Sequence, residues 1–497
     1  MNHLMSGALF MASLATAAGS VDATTSAQSA LPSPLVAISP ADPTVPTHAL
    51  PSEFAGLSYE TEAMLADAGG RHYFSSDRPS LLNMFKTLGV KSLRLGGNFA
   101  DKPGVPSPSH ADIDALFEFA RTANLKVIYT LRLREVDSPN EAAAIARYIM
   151  AKYGEQMAYF EIGNEPDVYL KTYPAYRAKL TQFMDAIRAA APEARFCGPS
   201  AANAAEWARD VSQTLGREGQ IQLITQHAYF GGNSRDAEKD PAAYRARLLS
   251  TELLSKYQSF YDSFVPIALE NRCRYRIEET NSCYNGGAPG VSDSFAAALW
   301  GLDYMFWWAQ HRSEGLNFHT GDTVAAADDH VPCRYAVFTT APGGYFARPL
   351  AYSMVAFNSV GDGTLVPLKI EPPAQFNLTA YGLRSASDGF CVVILNKEVA
   401  AQSGTPSAEV TPTGSAGREA QVAINLGQTY ARGEVMRLIS PGNDPAVASG
   451  ITFGGAGISN DGKWQGQWSP LQPPDAAGEF RIRVPASSAV VIRLTQK

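Results

Sequence analysis

The chain has 497 residues, of which 41 are Lys or Arg and 48 are Asp or Glu, so its formal net charge is −7. With 45% hydrophobic and 18% charged residues, its composition is typical of a globular protein and excludes a disordered or fibrous one. No run of Lys and Arg offers a surface for nucleic-acid phosphates, and five cysteines are too few for a disulfide scaffold. The composition therefore favours a protein of several domains that binds something small or neutral.

The first thirty residues differ from the rest of the chain. Leu4 to Leu14 form a short apolar stretch, and Ala15-Thr16-Ala17 is typical of a small-x-small cleavage site. We expect residues 1–30 to be a cleaved leader of a secreted or periplasmic protein, and a disordered Ala/Ser-rich tail is the alternative. No other stretch approaches the ~20 apolar residues of a membrane span, so no membrane partner is expected.

From residue 51 onward, short apolar runs alternate with helix-like segments. Eight runs have the character of buried parallel strands: Phe54–Tyr59, Val90–Leu95, Lys126–Leu131, Tyr159–Ile162, Arg195–Gly198, Leu223–Tyr229, Tyr275–Glu279 and Gly315–His319. Helix-like segments between them include Ala111–Thr122, Pro139–Tyr153 and Ala175–Ala191. This alternation predicts an α/β fold, a (β/α)8 TIM barrel over residues 51–360. A doubly wound sheet is the alternative, although no GxGxxG follows a strand to support nucleotide binding.

The pattern changes after Val360. The sequence becomes a series of short alternating runs between Gly- and Pro-rich turns, for example Cys391–Leu395, Val422–Leu426 and Arg481–Ile492. Such runs are typical of an antiparallel β-sandwich. Leu35–Ile38, set apart by prolines, is a candidate strand of the same sandwich. We therefore predict an appended β-sandwich domain made of residues 33–50 and 361–497.

Two glutamates stand where predicted strands turn into loops. Glu165 follows one strand in Asn164-Glu165-Pro166, and Glu279 ends another. They are 279 − 165 = 114 residues apart, or three βα units of about 38 residues, so they should face each other from strands 4 and 7. Two carboxylates so placed are the minimum equipment for glycoside hydrolysis. Caps or salt-bridge partners are the alternative interpretation.

Two further glutamates accompany this pair. Strand alternation puts Glu161 on the same face as Glu165 but deeper, where we expect an ion pair with Arg94. Glu278 directly precedes Glu279, and alternation sends it to the opposite side, as an ion-pair partner in the helix layer.

Four segments resemble glycoside hydrolase family 79, a clan A family of retaining glycosidases. Phe160–Pro166 resembles the strand-4 motif, and Glu279–Gly287 resembles the nucleophile segment with the loop after it. Leu93–Asn98 and Asn317–His319 are similar to the signatures of strands 2 and 8. The family contains β-glucuronidases and heparanases, built from a (β/α)8 barrel with an appended β-sandwich, and the resemblance covers most of the chain.

The resemblance implies roles for the strand-end residues. Glu165 would be the general acid/base, Glu279 the nucleophile selected over Glu278, and Asn164 a ligand of the sugar 2-hydroxyl. It also implies retention through a covalent glycosyl-enzyme, with the two carboxyl groups about 5–5.5 Å apart. Glu165 would start protonated and Glu279 ionised, held so by Asn164 and the Arg94 region.

The resemblance also suggests which residues bind the sugar. In the family, a loop corresponding to Tyr284, Gly286 and Gly287 meets the uronate through a hydroxyl and a backbone N–H, although Asn-Gly-Gly is more often just a turn. His319 is a further candidate donor, or else a packed core histidine. Tyr229 resembles the clan tyrosine that touches the nucleophile.

Several secondary expectations concern single residues. Glu60 and Asn98, at the ends of strands 1 and 2, are candidate ligands of sugar hydroxyls. Heparanases have Tyr at the position of Phe318, so one hydroxyl contact is in doubt. Cys283 and Cys333 follow neighbouring strands and form a candidate disulfide. The absence of CxxC, HxH and HExxH spacings predicts no metal and no cofactor.

The preferred interpretation is an exported, exo-acting retaining β-glucuronidase whose partner is a glucuronic-acid-containing glycan or glycoconjugate. An endo-acting heparanase-like enzyme would need a basic groove, and no basic cluster is evident. A clan relative for neutral sugars stays open, whereas the intact Glu165/Glu279 pair argues against a non-catalytic carbohydrate-binding protein. Because a net charge of −7 does not attract an anionic sugar, recognition must be local, which favours a terminal uronate over a polysulfated chain.

Overall fold

The computed structural model describes residues 35–42, 44–322, 333–372, 376–387, 389–399, 418–427 and 430–496. The predicted leader, residues 1–30, lies outside these ranges. The described residues belong to one compact unit that begins at Pro34. Among them, no helix is both long enough and apolar enough to cross a membrane.

Eight parallel strands close into a barrel. Two strands precede it, β1 (Leu35–Pro40) and β2 (His48–Ala49). The barrel strands are β3 (Ala55–Glu60), β4 (Ser92–Gly96), β5 (Lys126–Leu131), β6 (Met157–Ile162), β7 (Phe196–Ala201), β8 (Leu223–Ala228), β9 (Arg274–Thr280) and β10 (Leu316–His319). Each pairs with the next in the chain, and β10 pairs with β3 to close the ring. The barrel prediction is confirmed, and every predicted run coincides with a barrel strand to within three residues at either end.

Helices follow the barrel strands. They are α1 (Pro79–Thr87), α2 (Gly97–Ala100), α3 (His110–Ala123), α4 (Asn140–Tyr153), α5 (Pro166–Leu170), α6 (Tyr173–Ala190), α7 (Ala205–Val211), α8 (Ser234–Ala237), α9 (Pro241–Leu248), α10 (Glu252–Glu270), α11 (Phe295–Gln310) and α12 (Pro349–Asn358). The ends of α3 show why the sequence folds this way. Ser109 and Asp112 form a reciprocal capping box at its start, and Asn124 ends it in the left-handed conformation.

The C-terminal part is a sandwich of two sheets. After a hairpin of β11 (Phe338–Ala341) and β12 (Gly344–Ala347), its strands are β13 (Gly363–Val366), β14 (Leu368–Glu371), β15 (Leu378–Ser385), β16 (Phe390–Asn396), β17 (Ala420–Ile424), β18 (Arg432–Ile439), β19 (Thr452–Phe453), β20 (Ser469–Pro470), β21 (Phe480–Val484) and β22 (Ser488–Thr495). One sheet has the order β14-β1-β17-β21 and the other β19-β18-β22-β16-β15-β13-β2. β1 therefore adds to the sandwich, as predicted, and runs parallel to β17.

The sandwich is joined to the barrel by a buried helix. Residues Phe295–Ala309 of α11 are buried on every side, because the helix lies between the barrel and the larger sheet. Asp303 of α11 makes a buried ion pair with Lys397 (2.7 Å) and accepts hydrogen bonds from Tyr381 and Thr379. A helix that is hydrophobic on every side has to be covered by other elements, here the barrel and the larger sheet. The buried ion pair fixes the orientation of the helix on the sheet.

Candidate active site

A cavity of about 720 Å³ opens at the carboxyl ends of the barrel strands. Of the ten residues predicted for the site, eight line it: Glu60, Asn98, Glu165, Tyr229, Glu279, Tyr284, Gly286 and His319. Asn164 and Gly287 are buried and do not line this cavity. The loops after parallel strands all emerge at one end of a barrel, which is why residues far apart in sequence meet here.

Size alone does not identify this cavity. A larger hollow of about 940 Å³ lies between the C-terminal ends of α3, α4 and α6. Its acidic residues, Glu118, Glu155 and Glu193, are not strand-end carboxylates, and their neighbours include Arg121 and Arg147. The chemistry therefore points to the smaller cavity at the barrel mouth.

Glu165 is aimed over the mouth by a tight turn. β6 ends at Ile162, Gly163 and Glu165 both have left-handed backbones (φ 83° and 49°), and Pro166 begins α5. A left-handed glutamate is uncommon and persists where its surroundings hold it. Its Oε1 is hydrogen-bonded to His227 Nδ1 at 2.9 Å, and its side chain is 23% exposed. One oxygen of Glu165 lies within 4.8 Å of an oxygen of Glu279.

Glu279 is surrounded by donors. Arg94 Nη1 donates to its Oε2 at 2.5 Å, and the Tyr229 hydroxyl donates to its Oε1 at 2.8 Å. His319 Nδ1 lies 3.8 Å from Oε2. Burial raises the pKa of Glu279, but the neighbouring histidines and Arg94 outweigh it and hold this pKa well below its usual range. Glu279 is thus an ionised, oriented carboxylate.

Arg94 is the fixed positive charge of the site. It is fully buried and binds both oxygens of Glu161, at 2.6 and 3.1 Å, which confirms the predicted ion pair. Asn164 Oδ1 accepts from Arg94 Nη2 at 2.8 Å, and the Asn164 backbone N–H donates to Asp101. Asn164 therefore supports Glu279 through Arg94 rather than by direct contact.

His227 is a central residue that the sequence prediction missed. It lies on β8 two residues before Tyr229, so both point to the same side of the strand. Burial lowers the pKa of His227, but the Glu279 carboxylate and the bond to Glu165 raise it to about 9. The two-residue spacing from Tyr229 was the signal that could have found it.

Glu278 does not enter the helix layer, so that prediction was wrong. β9 carries a β-bulge: Gln226 of β8 pairs with Ile277 and His227 pairs with Glu279, which leaves Glu278 unmatched. A bulge breaks the alternation of a strand and re-aims side chains. Both neighbouring carboxyl groups therefore face the barrel interior, and Glu278 Oε1 lies 3.6 Å from His227 Nε2.

His319 lies between two carboxylates. Its Nε2 is 3.5 Å from Glu60 Oε1, and its Nδ1 is 3.1 Å from the Ser58 hydroxyl. Burial lowers the pKa of His319, but Glu279 and Glu60 outweigh it and raise this pKa. Glu60 also accepts a hydrogen bond from the Phe99 backbone N–H at 2.9 Å. The His319 ring is thus a positively polarised group in the cavity wall.

The loop after β9 forms the rim. Tyr284 is 42% exposed there, and Asn285, Gly286 and Gly287 follow it with three successive left-handed backbones. A Cβ atom on Gly287 would lie 2.8 Å from the Tyr335 backbone nitrogen, so the close approach of these two backbone segments requires glycine at this position. Gly286 lines the cavity, whereas Gly287 makes the turn possible.

Two other sequence expectations are corrected. Phe318 packs outward against Trp300 and Tyr304 of α11, so its missing hydroxyl removes no contact from the cavity. All five cysteines lie within the described residues and are free, so the candidate disulfide between Cys283 and Cys333 is not formed. The two thiols pack against different segments, Cys283 beside residue 231 and Cys333 beside residue 321.

The described residues contain two groups close enough together to hold a metal ion. One is Glu161, His227 and Glu278, and the other is Glu165, His227 and Glu279. In both groups the Arg94 guanidinium already binds a carboxylate, Glu161 in the first and Glu279 in the second. A cation would have to displace it, so this donor set does not favour a metal, and the prediction of none stays a prediction.

Parts of the chain are similar to known proteins. Residues 380–491 match the glycosyl hydrolase family 79 C-terminal beta domain. A β-glucuronidase of Aspergillus niger is 27% identical over 189 residues, which are 34% of this chain and 35% of that protein. A heparanase of Rattus norvegicus is 26% identical over 213 residues, which are 40% of this chain and 38% of that protein. The resemblance to glycoside hydrolase family 79 is confirmed.

The sequence matches cover only part of the chain, whereas the match to a solved structure covers most of it. The chain spans little more than a third of the length of the two curated relatives. The structure of a 4-O-α-L-rhamnosyl-β-D-glucuronidase from Fusarium oxysporum covers 92% of this chain and 99% of its own, with a TM-score of 0.70 and 18% identity. At this identity the likeness shows the fold, a (β/α)8 barrel with an appended β-sandwich.

Proposed function

We propose that the protein is a retaining exo-β-glucuronidase. The observation that carries the proposal is the pair Glu165 and Glu279, with carboxylate oxygens within 4.8 Å across the barrel mouth. Retaining glycosidases need a separation of about 5–5.5 Å, whereas inverting enzymes need about 6.5–9.5 Å to admit a water. The partial likeness to a β-glucuronidase supports the choice of sugar.

In the first step, the Glu279 carboxylate attacks the anomeric carbon while Glu165 passes a proton to the leaving oxygen. The bond from C1 to the aglycone breaks, and an ester bond from C1 to Glu279 forms. In the second step, Glu165 takes a proton from water, whose oxygen bonds to C1 as the ester breaks. Two inversions at C1 leave its configuration unchanged.

The residues around Glu279 prepare it for this cycle. Arg94 and Tyr229 keep the carboxylate ionised and oriented before attack. When the ester forms, Glu279 loses its charge, and Arg94 keeps a full counter-charge in Glu161. The buried guanidinium is therefore never left without an anion.

Recognition of the uronate is local. Among the described residues that line the cavity there is no Lys or Arg, in keeping with the chain's net charge of −7. His319 is positively polarised, and the Tyr284 hydroxyl and the Gly286 backbone are the other donors near the rim. We assign the sugar carboxylate to this side of the cavity.

The leaving group must lie on the side of Glu165. A further cleft of about 210 Å³ adjoins there and shares Asn98, Glu165 and Val168 with the main cavity. Lys102 and Arg134 line this cleft, together with Asp101. Two cations at the leaving-group side favour a second candidate function, an endo-acting heparanase-like hydrolase whose substrate continues as an anionic chain.

The first test compares three substrates: 4-nitrophenyl β-glucuronide, the matching β-glucoside and heparan sulfate. The proposal predicts hydrolysis of the glucuronide with little turnover of the glucoside. Turnover of the glucoside without the glucuronide would contradict the uronate assignment. Chain shortening of heparan sulfate, abolished in a Lys102→Ala/Arg134→Ala double variant that still hydrolyses the 4-nitrophenyl substrate, would favour the endo-acting candidate.

We also propose that the protein is exported. The support is the apolar stretch and the small-x-small sequence within residues 1–30. Mass spectrometry of the protein recovered from the medium or periplasm should find a chain that begins soon after Ala17. A full-length chain confined to the cytoplasm would contradict export.

A further inference from the structure

Glu278 is a buried carboxyl group that no described residue satisfies. Its side chain has no solvent exposure, and neither oxygen has a hydrogen-bond partner. A charged carboxylate in such a place is costly, so the neutral acid is favoured. Burial and the nearby Glu161 charge raise the pKa of Glu278 to about 8.

The charged groups around Glu278 are committed elsewhere. From β4, Arg94 binds Glu161 and Glu279, and from β9 itself, Arg276 binds Asn317 and backbone carbonyls. Neither guanidinium is a hydrogen-bond partner of Glu278, which leaves His227 as the cation nearest to its carboxyl group.

The remaining neighbours are neutral groups or one histidine. Burial is the main cause that raises the pKa values of Cys197 of β7 and Tyr176 of α6, and the Glu278 charge adds to it, so both groups stay protonated. The Thr225 hydroxyl of β8 faces Glu278 and lowers its pKa, but its hydrogen-bond partner is Ser200, at 3.0 Å. His227 of β8 is then the only titratable group facing Glu278, among the described residues, that could respond to its ionisation near neutral pH.

His227 connects Glu278 to the catalytic acid. Its Nδ1 is bonded to Glu165 at 2.9 Å, and its Nε2 lies 3.6 Å from Glu278. The Glu279 carboxylate contributes most to keeping the ring protonated. Esterification of Glu279 removes that charge, and His227 then becomes a stronger acid at the moment when the leaving group needs a proton.

We propose that Glu278 is a positioning residue whose neutral form lets His227 release its proton to Glu165 during glycosylation. The inference rests on the proposed function. The Nδ1 proton of His227 passes to the Glu165 carboxylate and from it to the leaving oxygen, which keeps the electron pair of the broken C1–O bond. In the second step, the proton taken from water returns through Glu165 to His227 as Glu279 regains its charge.

Ionisation of Glu278 stops this transfer. A negative charge 3.6 Å from Nε2 would hold the proton on His227 even after Glu279 is esterified. The loss of proton transfer should slow only substrates whose leaving group needs protonation. Activity on alkyl glucuronides should therefore fall above about pH 8, whereas activity on 4-nitrophenyl glucuronide should show no such decline.

The test is the pH profile of kcat/KM for an alkyl β-glucuronide in the wild type and in Glu278→Gln. Gln is permanently neutral, so the alkaline midpoint should move upward by about one pH unit, from the Glu278 range to the His227 range. Glu314→Gln, which removes a carboxylate at the other end of β9, is the matched control and should leave the profile unchanged. An unshifted midpoint in Glu278→Gln, or an equal shift with 4-nitrophenyl glucuronide, would overturn the proposal.

Infrared spectroscopy separates this outcome from a failure of the proposed function. The wild type at neutral pH should show the band of a protonated, buried carboxyl group, and Glu278→Gln should lack it. If Gln at this position prevents folding, loss of that band on raising the pH of the wild type above about 8 replaces the comparison. Absence of the band overturns the inference, whereas absence of any glucuronidase activity overturns the proposed function.

Discussion

The barrel and the sandwich fill their interiors with different chemistry. Between the two sheets of the sandwich the core is an apolar cluster that includes Val36, Val392 and Ile492. Beneath the barrel mouth, Arg94 and Glu161 are fully buried beside Glu278 and the Glu165/Glu279 pair. Taking charges out of water costs several kcal/mol per ion, which an apolar core avoids. The barrel bears this desolvation cost at the proposed active site.

The comparison predicts that changes in the two interiors have separate consequences. Substitutions in the charged layer should change the rate or its pH dependence, whereas substitutions in the apolar cluster should change stability alone. Each prediction below tests one side of this division.

The largest effect is expected for Glu279→Ala. Removal of a covalent nucleophile costs on the order of 10⁶-fold in kcat in other hydrolases, and we expect a comparable loss here. Azide can enter the space left on the α face, so it should restore turnover and give the α-glucuronosyl azide. Kinetics with 4-nitrophenyl glucuronide and analysis of the azide product check this. Full activity in the variant would contradict the assignment.

Glu165→Ala should cost less, and the cost should depend on the leaving group. General acid catalysis contributes about 10²- to 10⁴-fold, so alkyl glucuronides should lose activity in that range. Formation of the glycosyl-enzyme from 4-nitrophenyl glucuronide should be nearly unaffected, because its leaving group needs little protonation. Azide should here give the β-glucuronosyl azide. The same loss for every leaving group would exclude the acid role.

Ile492→Ala tests the other interior. This β22 side chain is fully buried between the sheets, and its truncation should lower the free energy of unfolding by about 2–5 kcal/mol. The folded variant should keep the wild-type kcat/KM. Denaturant titration and assays below the unfolding midpoint measure both quantities, and a large fall in kcat/KM without unfolding would break the division.

The last prediction concerns the dependence of stability on pH. The pKa of His227 is raised from 6.5 to about 9, so its stabilisation is complete below pH 6.5 and is lost as the pH rises to about 9. The pKa of Glu278 is raised from 4.5 to about 8, so between these pH values the folded protein keeps a proton that the unfolded chain has lost. Stability therefore falls here too as the pH rises. Between pH 6.5 and 8 the two groups should together lower the unfolding free energy by roughly 3 kcal/mol per pH unit.

Denaturant titrations at several pH values measure this slope. Glu278→Gln should remove about half of it, because only the His227 contribution remains. A flat profile between pH 6.5 and 8 would contradict the proton placement in the barrel.

Much of the fold could be predicted because burial shows in the sequence. Largely apolar runs such as Lys126–Leu131 are buried on both faces after their first residue, and the predicted bounds match those of β5. The same regularity placed Glu165 and Glu279 at strand ends. The approach of their side chains follows from barrel closure, which no local pattern encodes.

Glu278 shows where sequence reasoning stops. Its orientation depends on a bulge, and the bulge depends on how β9 aligns with β8 rather than on the residues of β9 alone. His227 was missed for a related reason, since its importance comes from Glu165 and Glu278 on two other segments. The absent disulfide likewise depends on how two loops pack.

The central claim is double displacement by Glu165 and Glu279. Proton NMR of the first sugar released from an alkyl β-glucuronide tests it most directly, because the anomeric signals of the two product forms are distinct. The account predicts that β-glucuronic acid appears first and that the α form follows only by mutarotation. Initial release of the α form would contradict it, because that outcome requires a single displacement by water.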